Sequence, residues 1–147
     1  MTKLTEAKKT AFKWIDDNAE RISDFHQRIW YYAETSFREY KSAKAFVDFH
    51  REEGFEVIHG VAGMPTAYEA TWGEGKPVLS TYTEYDAVPS AWQDQVPYRS
   101  ANNPYRAGHT DPHSALGTGS LIGSIATKHA MEEQIGRASC RERVCHR

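Results

Sequence analysis

Cysteine is almost missing from this chain. Two occur in 147 residues, Cys140 and Cys145, both close to the end. The body of the chain can therefore hold neither a disulfide framework nor a zinc site built on cysteine pairs. No proline precedes Pro65, so no imino acid interrupts a helix in the first third. No run approaches the roughly 18 consecutive apolar residues of a membrane span. The segment Met1–Arg21 is polar and has no apolar signal core, and Glu6, Asp16, Asp17 and Glu20 spoil a transit-peptide pattern. A cytoplasmic location is the expectation. Eighteen basic residues stand against 20 acidic ones, scattered, for a formal net charge of −2. Without a basic stripe, neither nucleic acid nor a membrane surface is an expected partner.

What is present fits one globular domain, with 39% hydrophobic and 26% charged residues. Residues 135–147 are set apart. Ile135–Val144 reads IGRASCRERV, which resembles the translation of a sequencing-adapter oligonucleotide, and it is excluded from fold reasoning as a scar would be. Residues 1–134 then carry 14 basic and 19 acidic side chains, which weakens a nucleic-acid reading further.

Apolar residues recur at helical spacing from Phe12 through Ile15, Ala19, Ile22 and Phe25 to Ile29, predicting one helix with Thr5 as N-cap. The segment Trp30–Ser36 breaks it. Ser36 and Glu39 read as a capping box for a second helix with Tyr40, Ala43, Phe46, Val47 and His50 on one face, ended by Gly54. Strands follow at 55–59, 66–72 and 78–83, the third the most continuously apolar and so expected to be the most buried. A long irregular stretch from Glu84 to Asp111 contains Pro89, Pro97 and Pro104, with Pro112 just beyond. Loops of that length in a compact domain are usually functional. Ser114 then caps a last helix to about Glu133, whose Gly117, Gly119 and Gly123 suggest close packing on a sheet. The order predicts an α/β sandwich with functional groups where strands end and helices begin.

Two clusters lie at such points. Glu84 and Asp86 close the third strand, and His109, Asp111 and His113 precede the last helix. Asp111 and His113, two apart in extended chain, can face the same way and suit zinc or a similar divalent ion. A carboxylate there can also bridge two metals. Glu84 and Asp86 could orient a histidine or a metal-bound water. The plainer alternative makes all of them turn, cap and edge residues. His26, His50, His59 and His129 read as surface or packed histidines.

Five ordered blocks carry a resemblance: Trp30–Glu39, Glu52–Val57, Gly63–Ala67, Glu84–Pro89 and Gly108–Gly117. Together they resemble the di-zinc peptidase and aminoacylase superfamily, in its amidohydrolase branch around aminobenzoyl-glutamate hydrolase. The resemblance covers most of residues 10–134. It implies the N-terminal part of a zinc-peptidase-like three-layer α/β/α catalytic domain, here 1–134, in a protein expected to form homodimers. It further implies metal-dependent hydrolysis of N-acyl amino acids or dipeptide-like amides, with zinc as first choice of metal and manganese as alternative. The family block His-Gly-Cys-Gly-His-Asn aligns with His109–Ser114, so Asp111 stands where the Cys would be and His113 matches the second His. On that basis Asp111 and His113 are expected metal ligands, Asp86 a catalytic-site residue, and Glu84 and His109 supporting residues. The proton-shuttling glutamate and later ligands of the family have no counterpart in residues 1–134. This chain is accordingly expected to be inactive alone. A non-catalytic relative that binds a ligand or dimerises is the competing expectation.

Overall fold

The computed structural model describes residues 4–134 and 141–145, the side chains of residue 134 and of 141–145 excepted. Helix α1 (Glu6–Asp17) starts at Thr5, whose side chain accepts from the Lys8 amide at 3.3 Å. The single helix expected through Ile29 is in fact two. Asn18 leaves helical geometry, and its side-chain amide donates to Trp14 O at 2.8 Å. That local bond competes with continuation of the helix. Helix α2 (Ala19–Tyr32) follows and stops at Ala33, which is left-handed at φ 44°.

The next helix, α3 (Tyr40–Glu52), is not capped as expected. Glu39 is its N-cap residue without a side-chain cap bond, and its carboxylate accepts from the Phe37 amide instead. The free amides of Lys41 and Ser42 are met by Glu34, at 3.1 and 2.8 Å. A carboxylate at a helix N-terminus satisfies unpaired donors and complements the helix dipole. At the other end Gly54, at φ +82°, follows the C-cap. Its amide reaches Arg51 O and the Phe55 amide reaches His50 O, both at 3.0 Å. This is the Schellman closure that glycine permits.

Strands β1 (Glu56–His59) and β2 (Tyr68–Trp72) pair antiparallel, Val57 opposite Ala70. Strand β3 (Val78–Tyr82) leads into the long loop, and helix α4 (His113–Gln134) returns from it. Residues 141–145, set aside in reading the sequence, form β4 (Arg141–Cys145). It lies between β2 and β3, antiparallel to the first and parallel to the second, giving the order β1-β2-β4-β3. The rest of the segment assigned to an adapter, 135–140 and 146–147, lies outside the described residues.

The α/β class is as expected. One core joins Phe25 and Ile29 of α2, Phe46, Val47 and Phe49 of α3, Tyr68 and Ala70 of β2, and Leu121, Ile122 and Ile125 of α4. Tyr40, placed on the inner face of α3 by periodicity, is exposed. The larger departure is β3. Val78, Leu79 and Tyr82 are 44%, 47% and 61% exposed, although this strand reads as the most apolar. An apolar run is buried only where another layer covers it, and α4, the helix that meets β3, packs mainly against α1 and α2. Of the helix glycines, Gly117 alone packs as expected. A Cβ there would lie 2.2 Å from Glu84 O, whereas Gly119 and Gly123 have open space around them.

His50 is fully buried, between Tyr68 OH at 3.1 Å and Ser124 Oγ at 3.5 Å. His129 stacks on Trp14 and pairs with Glu53 at 3.1 Å. Both are packed histidines, and both have partners that sequence spacing does not reveal.

Candidate functional site

The chain leaves β3 at Tyr82 and turns through Glu84, Tyr85 and Asp86. Two backbone connections fix this segment. The Ala87 amide donates to Glu34 O at 2.7 Å, and Val88 and Gly108 exchange amide–carbonyl bonds at 3.0 Å. The second connection draws the two ends of the long loop together, so Glu84–Asp86 comes to lie beside 109–113. The fit is tight at Gly108, where a Cβ would meet the Ala91 carbonyl oxygen at 2.2 Å. Inside the loop, Asp94 accepts from Trp92 Nε1 at 3.1 Å and from Ser100 Oγ and Asn102 Nδ2 at 2.6 Å. Arg106 lies over Trp92, 3.4 Å from the ring centroid.

His113 opens α4 and is the centre of the site. Its Nδ1 stands 2.8 Å from Asp86 Oδ1, its Nε2 3.3 Å from Glu84 Oε2, and Asp111 Oδ2 is 3.7 Å from Nδ1. Burial alone would lower this imidazole. The hydrogen bond to Asp86 and the charges of Asp111, Asp86 and Glu84 outweigh it, holding the group above its ordinary pKa of 6.5. Burial would raise the Asp86 carboxyl, but hydrogen bonds from Ser36 and His113 keep it below the usual carboxylate value.

Four of the five residues singled out in the sequence are thus brought together: Glu84, Asp86, Asp111 and His113. His109 is set back from them. Its Nε2 lies 3.3 Å from Ile29 O, and burial pushes its pKa down despite the nearby acids. Ser114, expected as the helix cap, sits inside the first turn of α4, its hydroxyl 3.3 Å from His26 Nε2. The residue missed is Ser36. Read as a cap, it instead donates to Asp86 Oδ2 at 2.6 Å across 50 positions of sequence. No local pattern carries such a contact.

The site opens into a cleft of about 230 Å³, lined among others by Ser36, Phe37, Met64, Glu84, Asp86 and His113. Its chemistry suits a divalent cation in kind: one imidazole amid carboxylates. Asp111 Oδ1 and His109 Nδ1 are buried without a hydrogen-bond partner, the first on an expected metal ligand. In number the donors fall short. Among the described residues no group of three His, Cys, Asp or Glu side chains is arranged to hold a metal ion. The residues present therefore fit part of a metal centre.

No protein-family model matches the chain. Over 127 residues, 83% of its length, it is 33% identical to one of the p-aminobenzoyl-glutamate hydrolase subunits of Escherichia coli (strain K12). It spans 26% of that relative's length. Its fold is similar to a protein of methicillin-resistant Staphylococcus aureus assigned as an aminohydrolase. There the TM-score is 0.72 at 21% identity, over 94% of this chain and 34% of that one. It is also similar to a dinuclear metal-binding peptidase of the M20 family from Bacillus subtilis. That match has a TM-score of 0.63 at 19% identity, over 85% of this chain and 34% of the other. Among the described residues no helix is long and apolar enough to cross a membrane.

Proposed function

We propose that the chain is the N-terminal segment of a metal-dependent amide hydrolase of the M20 peptidase and aminohydrolase kind, a reading supported by its likeness to the hydrolase subunit and to the two solved folds. The substrates proposed are N-acyl amino acids or dipeptide-like amides. The observation that carries this reading is the convergence of Glu84, Asp86 and Asp111 on His113, which lines the cleft together with Glu84 and Asp86. His113 and Asp111 would hold the metal, zinc or manganese, together with ligands from elsewhere in the full protein. The metal, when bound, would polarise the amide carbonyl and activate water.

The chain's own residues prepare that site. Asp86, 2.8 Å from His113 Nδ1, would accept from that nitrogen and leave Nε2 to bind the metal, the usual task of a carboxylate behind a metal-binding histidine. Glu84, on the Nε2 side, supplies negative charge that favours a cation there. Burial holds His109 below its ordinary pKa, against the opposing pull of Ile29 O and the nearby acids.

The test has two arms. The protein extended past residue 134 is assayed with zinc or manganese against N-acyl amino acids and dipeptides, reading released amine. Metal-dependent release is expected there and none from the 147-residue chain alone. No release from the extended protein with any metal would sink the hydrolase reading. A ligand-binding or dimerising relative is the second reading, favoured by the lack of three converging ligands among the described residues. The adapter origin of residues 135–147 belongs to the same proposal. Re-reading the transcript past codon 134 decides it. A full-length homodimer is the proposed assembly.

A further inference from the structure

The connector between α2 and α3, residues 33–39, does more than join two helices. It runs beside the strand-end segment that carries Asp86, and three contacts tie the two together. Thr35 forms a parallel bridge with Ala87, the Ala87 amide donates to Glu34 O at 2.7 Å, and Ser36 Oγ donates to Asp86 Oδ2 at 2.6 Å. The connector is held in unusual backbone geometry. Ala33 and Phe37 both have positive φ, 44° and 63°, a conformation costly for residues with side chains. The Phe37 amide is tethered to Glu39 Oε1 at 2.9 Å, and Glu34 is pinned by the start of α3. Ser36 therefore has a fixed seat, and its hydroxyl reaches the one Asp86 oxygen that His113 does not use.

We propose that Ser36 is a positioning residue, whose hydroxyl locks the Asp86 carboxylate so that its other oxygen holds His113 by Nδ1 and leaves Nε2 directed into the cleft. The chain Ser36–Asp86–His113 spans three segments of the fold, with links of 2.6 and 2.8 Å. A carboxylate with one oxygen bonded and the other free can rotate about its terminal torsion, which is broad and two-fold. Bonded at both oxygens, it cannot turn without breaking a charge-assisted bond. The histidine then keeps one tautomer and one ring orientation. The importance of this for catalysis rests on the hydrolase reading above, but the positioning itself does not.

The experiment uses the 147-residue chain, metal-free, at one fixed pH above the His113 titration. Long-range proton–nitrogen NMR spectra report which ring nitrogen of His113 carries the proton. The unaltered chain is expected to show Nδ1–H predominantly. Ser36→Ala should convert this to a mixture, with several-fold faster solvent exchange of the Nδ1 proton, and Ser36→Thr, which keeps the hydroxyl, should restore it. Asp86→Asn serves as the reference for a lost acceptor. If Ser36→Ala retains both the tautomer and the slow exchange while Asp86→Asn loses them, water replaces the hydroxyl adequately and the proposal is overturned. Should Ser36→Ala unfold, Ser36→Thr and Ser36→Cys carry the test, with Thr expected to match the original and Cys, a weak donor, expected to resemble the mixture. Cys matching the original would equally overturn the proposal. None of these readouts involves amide hydrolysis, so they fail or succeed independently of it.

Discussion

His50 and His113 are the same residue in opposite settings. His50 is fully buried against Phe55 and Tyr68, and its ring nitrogens face the hydroxyls of Tyr68 and Ser124. His113 is partly exposed, and its neighbours are three carboxylates. The first arrangement fixes α3, β2 and α4 to one another, as a fully satisfied buried network does. The second gathers charge at the edge of a cleft, which contributes little to packing and much to chemistry. The difference teaches that a histidine's role is set by which elements converge on it. Both lie on helices, and the partners of neither can be read from its own helix.

The contrast predicts that core and site can be damaged separately. Phe46→Ala, in the core beside Phe25 and Tyr85, should cost about 3–5 kcal/mol, read from urea or thermal melts. A loss below about 1 kcal/mol would mean that the core is far less packed than its burial implies. Gly117→Ala joins the two regions, since its new methyl would overlap the Glu84 carbonyl. About 1–3 kcal/mol of overpacking is expected, with a displaced His113 resonance as the accompanying sign. Unchanged stability together with an unchanged resonance would separate α4 from the strand end.

Within the site, pH divides His109 from His113. His109 is held below its ordinary pKa, so the unfolded chain takes up its proton first. Its contribution is intact above about pH 6.5 and is lost as pH falls below that. His113 is raised, so its contribution is present below the same value and is lost as pH rises through the folded pKa. Proton NMR should show His113 titrating at higher pH than His109, and the reverse order would refute the assignment of their surroundings. The smallest effect is expected at the Lys44–Asp48 pair on the surface of α3. Lys44→Ala should change stability by about 0.5 kcal/mol or less, and a larger loss in a melt would show that this face is not merely solvated.

The helices and strands up to residue 134 were legible in the sequence because their apolar spacing and end residues are local, whereas β4 was not read as a strand. Thr5 and Gly54 do at the helix ends what their chemistry suggests. The break at Asn18 was not legible, since one side-chain bond to Trp14 decides it. Nor was the exposure of β3, because cover is a tertiary property. At the site, Glu84, Asp86, Asp111 and His113 stood out as chemical types at a strand end and a helix start, and the fold does assemble them. Ser36 and Glu34 were missed as partners because their contacts are made across long separations or in place of an expected cap.

The paired amides of Val88 and Gly108 have a consequence for how this protein can change. They act as a clasp at the neck of the long loop, which Trp92 and Arg106 also anchor to α2 at Trp30 and Tyr31, so the stretch around Asp94 lies between fixed points. Lengthening such a loop costs only about 0.6 kcal/mol per doubling. Descendants of this sequence can therefore rewrite the loop around Asp94, in size as well as in composition, while the histidine and its acids stay where they are. The clasp makes one part of the molecule heritable as hardware and leaves the adjoining part open to variation.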